Sequence, residues 1–359
     1  MRIGVFLPAA GFPGMDPGEV LGAAVRAAVA AERAGFDDVW IAEHHFMTYG
    51  MCPSAVTLAG YVLGRTDRVT VGTAVSVLST CHPVALAEQA AILDRVSAGR
   101  FRLGVGRGGP WVDLEVFGTG LDRYEHGFEE SLDLLLAALG RERVSGEGER
   151  FRFREVTMVP RPARPVLPVV AATSAGTVRL AAARGLPMLL GMHIGDADKA
   201  AMVRAYAAAA SPGRHASGTA DPLDADGPPA VAGHPAQTDA PAVGHMAAGV
   251  AYVADTTREA VGALRESLPR WLGPGLAGYR PVDGRAYVPK DPVEYARLLC
   301  RLHPVGSPEH CADTMLATIE RTGVRHLVLL VEGAGDPALT CRNIARLGAE
   351  VLPRVRAHA

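Results

Sequence analysis

Short β-rich runs alternate with longer helical patterns from end to end of a 359-residue chain, and eight such repeats can be counted. That alternation predicts an α/β fold, a single (β/α)8 TIM barrel spanning residues 1–359, with a parallel sheet covered by helices. Two Gly/Pro-rich stretches break the rhythm, and they predict an insertion before strand 7 and a mobile active-site loop.

Arg2–Leu7 reads as the first strand. Pro17–Ala34 reads as a helix: Asp16 can cap it, Pro sits in the first turn, and Gly35 lies just past its end. Strands at Asp38–Ala42, Val69–Val77 and Phe101–Val105 follow, separated by helical patterns at Ser54–Leu63 and Pro83–Val96. A helix is expected over Tyr124–Leu139. Val166–Ala172, Met188–Leu190, Ala248–Val253 and His326–Val331 complete the strands. Helices at Thr177–Arg184, Ala197–Ala210, Thr256–Leu268, Pro308–Thr322 and Ala338–Leu352 lie between or after them.

Ser211–His245 carries six Pro, five Gly and five charged residues, with no aromatic, Ile or Met, so it cannot bury a core of its own. It is the predicted flexible insertion. Trp271–Pro292 is equally punctuated but keeps Trp271, Tyr279 and Tyr287. A long loop that retains aromatics is the expected lid.

The net charge of −2 argues against nucleic acid or an anionic membrane as partner, because both need a basic excess. Of 36 basic residues only Lys199 and Lys290 are lysine. Five scattered cysteines with no paired spacing predict neither disulfides nor a zinc site, and fit a reducing compartment. No uncharged apolar run reaches the length of a membrane span, and the N-terminus lacks a signal-peptide core. A cytoplasmic protein with no metal is expected.

Three motifs fall at the ends of predicted strands. Gly104-Val-Gly106-Arg107-Gly-Gly109 matches a dinucleotide fingerprint only formally, since Pro110 and Trp111 follow where a helix should open. What remains is a glycine-rich turn whose freed N–H groups and Arg107 suit a single phosphate; a tight turn with a solvated Arg107 is the plainer reading. Thr173-Ser174-Ala175-Gly176-Thr177 opens a helix and offers an anion site at its N-terminus, or simply an N-cap. A serine nucleophile there would want glycine where Ala172 stands. Glu43-His44-His45-Phe46 places two histidines past the second strand; neighbours on an extended segment point opposite ways, so they suit acid–base work rather than chelation.

Taken in order, EHHF at 43–46, VGTAVSVLSTCHPVALAE at 71–88, LDRVSAGRFRLGVGRG at 93–108, VFGT at 116–119, ATSAGT at 172–177, GLPM at 185–188 and HPVGSPEHC at 303–311 resemble the bacterial luciferase family of flavin-dependent monooxygenases, above all the luciferase alpha chain. The resemblance covers nearly the whole chain except Ser211–His245. It implies a (β/α)8 barrel that receives reduced FMN from a separate flavin reductase, reacts it with O2 to a C4a-hydroperoxide, and oxygenates a small organic substrate. By matching positions it implies His44 as the catalytic histidine. Arg107, Ser174 and Thr177 match the phosphate clamp. Ala74-Val75 matches a non-prolyl cis peptide under the flavin ring, and Trp271–Pro292 the mobile loop.

Three positions depart from the family pattern. Gly106 stands where the family keeps a reactive cysteine, which implies a roomier pocket. Thr173 replaces an acid, and Met192, followed by His193, replaces a tryptophan beside the flavin. These changes argue against a light-emitting oxidase of long-chain aldehydes and favour another organic substrate, such as an intermediate of secondary metabolism. The rival readings are an oxidoreductase of the same superfold that uses the deazaflavin F420, and a non-catalytic flavin-binding relative. A homodimer is expected, packed through the helices of the second and third repeats, where Ala55, Ala59, Gly60, Ala87 and Ala90 would allow close approach.

Overall fold

The computed structural model describes residues 1–210 and 244–358. The expected insertion therefore lies outside the described residues as far as residue 243. Its last two residues are described, and there His245 is a packing residue: its Nδ1 accepts the Met188 N–H at 3.2 Å and its ring meets Tyr206 edge-on at 4.4 Å.

Among the described residues fourteen strand segments run in chain order: β1 Arg2–Leu7, β2 Asp38–Ile41, β3 Thr70–Thr73, β4 Ser76–Val77, β5 Phe101–Arg102, β6 Gly104–Gly106, β7 Arg143–Glu147, β8 Arg152–Thr157, β9 Val169–Ala172, β10 Met188–Leu190, β11 Met246–Val250, β12 Tyr252–Val253, β13 Val305–Gly306 and β14 His326–Leu330. Ten of them form one curled, wholly parallel sheet in the order β4-β6-β9-β10-β11-β14-β1-β2-β3-β5. Parallel strands buried on both faces read as nearly continuous apolar runs, and β1, β2 and β14 do so. Their outer residues Ile3, Val5, Val39 and Leu327 pack on helical Val20, Ala24, Ala27 and Ala31. Each fully buried Val, Ile or Leu contributes about 1.5–3 kcal/mol.

The predicted strand at 69–77 is split. β3 pairs with β5 and β4 with β6, and the Ala74–Val75 peptide between them is cis. At the split the Thr73 hydroxyl replaces the ladder: Oγ1 donates to the Gly104 carbonyl at 2.7 Å and accepts the Gly104 N–H at 2.9 Å. A Cβ on Gly104 would overlap the Thr73 carbonyl, so only glycine permits that approach.

Below this, at the N-terminal end of the sheet, Asp38 is fully buried and accepts Trp40 Nε1 at 2.7 Å, His326 Nε2 at 3.0 Å and the Arg2 guanidinium at 2.9 Å. Burial alone would raise this carboxyl; His326 and Arg2 override it and hold it low. That end of an α/β sheet of this kind serves stability rather than chemistry.

Several elements differ from the sequence expectation. The helix over 124–139 is two, Gly120–His126 and Phe128–Gly140, parted at Gly127, where a side chain would press on the Arg123 carbonyl. The antiparallel hairpin β7/β8 and the helix Pro292–Leu302 were not expected. The helix starting after Thr256 does not stop at Leu268 but runs to Ala277, through Pro269 and Pro274. Its capping box and the buried row Leu264, Leu268, Trp271, Leu272 and Leu276 outweigh the donors lost at the prolines. The irregular part of the expected lid is therefore only residues 278–291.

Candidate active site

The functional residues expected from sequence sit at the C-terminal ends of neighbouring strands: His44 after β2, Ala74 and Val75 between β3 and β4, Arg107 after β6, Thr173 and Ser174 after β9, and Met192 after β10. Glu43 ties the first two together. Its Oε1 accepts the Val77 N–H at 3.0 Å and its Oε2 accepts the Ala55 N–H at 3.1 Å, so one carboxylate holds the 43–52 segment, β4 and the next helix.

His44 is held from several sides. Its N–H donates to the Cys52 carbonyl at 2.9 Å and its ring stands on Tyr49 at 5.1 Å and 83°. Its Nδ1 is buried without a partner, against Gly50, where any Cβ would overlap it. Burial pushes the imidazole down to about 4, with His45 adding to the shift. The ring is thus neutral at pH 7, a proton acceptor in waiting. His45 points elsewhere: its Nε2 lies 3.7 Å from Glu43 Oε1 and its ring meets Phe117 at 4.9 Å. The two histidines diverge, as adjacent residues on an extended segment should.

Gly106 does not open space. A Cβ there would lie 2.7 Å from Val75 Cγ2 and 3.3 Å from Ala171 Cβ, so Val75 already fills the volume that the glycine vacates. The expectation of a roomier pocket at this point is corrected accordingly.

Next in the chain, Arg107 is fixed through its carbonyl, which accepts Ser79 Oγ at 2.6 Å. Its guanidinium lies 5.5 Å from the Phe128 ring and 5.8 Å from Tyr124, with no carboxylate partner among the described residues. Ser174 caps the helix Ala175–Ala183: Oγ accepts the Thr177 N–H at 3.3 Å and lies 3.1 Å from Thr177 Oγ1. Thr173 and Ser174 are exposed. An uncompensated guanidinium and a helix N-terminus on adjacent strands fit a phosphate monoester. No hydrogen bond joins Arg107 to Ser174 or Thr177 among the described residues, so the anion itself would be the link.

Three further titratable groups lie at this end of the sheet. Glu332, after β14, is only 7% exposed and accepts the Ala9 N–H at 3.1 Å. Burial raises its carboxyl to about 7 despite the backbone donors. A lone acid after a strand carries no periodic or motif signal, which is why sequence reasoning passed it by. Behind Met192, His303 Nε2 contacts the Met192 carbonyl at 2.6 Å, and burial together with Lys199 pushes that histidine down to about 4. Lys199 is 2% exposed and donates to the Ala248 carbonyl at 3.1 Å. Among the described residues no three His, Cys, Asp or Glu side chains are placed to hold a metal ion, and no helix is long and apolar enough to cross a membrane.

The family model for luciferase-like monooxygenases matches residues 1–326. The chain belongs to that family. Among the relatives of this luciferase-like monooxygenase is the alkanal monooxygenase alpha chain of the Kryptophanaron alfredi symbiont, 27% identical, with 99% of each chain covered. Monooxygenase RslO1 from Streptomyces bottropensis superposes with a TM-score of 0.79 at 25% identity, over 98% of this chain and 99% of that one. The oxygenating constituent of 3,6-diketocamphane monooxygenase from Pseudomonas putida, solved with FMN, shares the fold at a TM-score of 0.72 and 20% identity, over 99% and 98% of the chains. An F420-dependent secondary alcohol dehydrogenase does so at 0.68 and 19%, over 99% of each.

The face expected to dimerise is partly corrected. Ala55, Ala59, Ala87 and Ala90 are buried inside this chain, where they seat their helices on the sheet. The outer surface of those helices instead shows Tyr61, Ile92 and Val96.

Proposed function

We propose that this luciferase-like monooxygenase is the oxygenating half of a two-component system: it takes reduced FMN from a separate flavin reductase and uses O2 to oxygenate a small organic molecule of secondary metabolism. The observation that carries the reading is the unpaired Arg107 guanidinium on the strand next to the helix N-terminus at Ser174, with the Ala74–Val75 peptide one strand away on its other side and His44 one strand further. Together they match a flavin mononucleotide in kind, with an anion site for the phosphate and, across the intervening strand, a neutral base. In this reading the ten segments count as eight strands, since two residues part β3 from β4 and Leu103 alone parts β5 from β6. The sheet then closes as a (β/α)8 barrel in one domain.

Reduced FMN, when bound, supplies the two electrons that let one oxygen atom of O2 enter the substrate while the other leaves as water. Arg107, Ser174 and Thr177 hold the phosphate. Ala74, Val75 and Gly106 line the ring, with Thr173 and Met192 on the neighbouring strands. His44, neutral at working pH, accepts and returns a proton at its ring nitrogen, with Glu43 keeping the segment in place. The 278–291 segment excludes water, which protects a reaction that would otherwise discharge as hydrogen peroxide. The protein works in the cytoplasm as a homodimer, packed through the apolar face at Tyr61, Ile92 and Val96; light scattering at micromolar concentration should give twice the chain mass.

The deciding experiment supplies a flavin reductase, NADH, FMN and 18O2 with candidate substrates. One 18O atom per product supports the reading. Tight F420 binding with substrate oxidation under strict anaerobiosis would replace it with hydride transfer, the alternative favoured by the dehydrogenase of the same fold. FMN binding with no 18O in any product, and unchanged by His44→Ala, would make the chain a flavin-binding relative without this chemistry.

A further inference from the structure

We infer that the mouth of the sheet carries a substrate subsite, built from Tyr49, Trp111, Tyr279 and Tyr287, for a planar aromatic molecule bearing oxygen substituents, a phenol or a quinone. The inference rests on the flavin monooxygenase reading for its chemistry and on these rings for its specificity.

Tyr49 is 8% exposed, stacks on Trp271 at 4.6 Å and 11°, and meets the His44 ring edge-on. Its hydroxyl makes no hydrogen bond to any described residue. Tyr279 and Tyr287, on the 278–291 segment, are in the same condition. Their rings lie 4.7 and 5.3 Å from Trp111 and 6.2 Å from each other, and Tyr279 lies 5.9 Å from Tyr49. The segment is held there by its backbone as well: Trp111 and Pro281 form an antiparallel bridge, and the Val282 N–H donates to the Pro110 carbonyl at 2.8 Å.

The three hydroxyls have no partner among the described residues and none is closed off from solvent, so they are served by water until a ligand brings an acceptor. Burial and the neighbouring phenols keep Tyr49 and Tyr279 protonated, able to donate. A second aromatic pair extends the surface outward: Phe46, 55% exposed, lies 6.0 Å from Phe117, 44% exposed. Ring faces reward a flat aromatic ligand with stacking that an aliphatic chain cannot return, and the phenols reward oxygen atoms on its rim. A long-chain aldehyde offers a single oxygen to one hydroxyl and only alkyl surface to the rings and the other phenols.

The test titrates the whole protein with 1,8-dihydroxyanthraquinone and with decanal by quenching of tryptophan fluorescence, and measures FMN binding on the same sample. The expected result is quinone binding at least about tenfold tighter than decanal. The double variant Tyr279→Phe/Tyr287→Phe, which keeps both rings, should weaken the quinone by about tenfold and leave decanal and FMN unchanged. Decanal bound as tightly as the quinone, or a double variant that binds the quinone as the wild type does, overturns the subsite even if FMN binds normally. Failure of wild-type protein to bind FMN instead strikes at the flavin reading, and the quinone ratio still decides the subsite.

Discussion

Glu43 Oε1 and the Val77 N–H meet at 3.0 Å, and this bond couples the segment bearing His44 to the strand that resumes after the Ala74–Val75 peptide. The base and the floor of the candidate flavin site are thus positioned by one carboxylate, whose other oxygen caps the Ala55 N–H. Replacing Glu43 by Gln turns one of those oxygens into a donor facing another donor. The expected cost is about 1–3 kcal/mol of stability, read from urea unfolding, together with a fall in kcat larger than any change in KM. Unchanged stability and rate would mean that the two backbone donors find other acceptors.

His44→Ala should lower substrate oxygenation by about a hundredfold or more while leaving FMN affinity within threefold. Because burial holds the wild-type imidazole at about 4, its role as base should persist in the pH profile well below 6.5. The folded state resists protonating this ring, so the unfolded chain binds the proton first as the pH drops. Its contribution to stability is therefore intact above about 6.5, erodes towards 4, and is constant below. A histidine titration near 6.5 by NMR, assigned to His44, would contradict this.

Arg107→Met removes the unpaired cation but keeps much of the stem. FMN binding, followed by flavin fluorescence, should weaken by about ten- to a hundredfold, and riboflavin, which has no phosphate, should be indifferent to the change. Equal losses for the two flavins would place the phosphate elsewhere.

Gly106→Ala drives a Cβ to 2.7 Å from Val75 Cγ2. The expected destabilisation is about 1–3 kcal/mol, and Val75→Ala in the same chain should recover most of it by vacating the contested volume. Additive losses in the double variant would show that the two positions do not share that space.

Glu332 carries the opposite pH signature to His44. Its carboxyl sits at about 7 in the fold, above its ordinary range, so its contribution is complete below about 4.5 and is lost as the pH rises through 7. Glu332→Gln, which can still accept the Ala9 N–H, should make the protein more stable at pH 8 and flatten the decline between 5 and 8, by up to about 3 kcal/mol. Thermal melts across that range, wild type against variant, read the difference directly.

Most strands of the large sheet were legible because parallel strands buried on both faces leave unbroken apolar runs, and two helix starts because Asp16 and Ser174 offer caps. The interruption between Thr73 and Ser76 is not written in any local pattern; the family resemblance alone pointed to it. β8 escaped notice since almost all of it is exposed and it shows no clear alternation. The helix through Pro269 and Pro274 ran against a local rule that tertiary packing of Trp271 overrode. Within the site, His44, Arg107 and Ser174 announced themselves by position after strands. Tyr49 and Glu332 did not, because what distinguishes them is a missing partner or a dry environment, and neither exists until the chain is folded.

The two lysines offer a last practical consequence. Lys199 is enclosed against β11, whereas Lys290 is exposed on the segment over the mouth, its Nζ 4.5 Å from the Tyr295 ring. Apart from the terminal amine, an acylating dye has one lysine to find, so a fluorophore attached without any mutagenesis reports from the rim of the site itself.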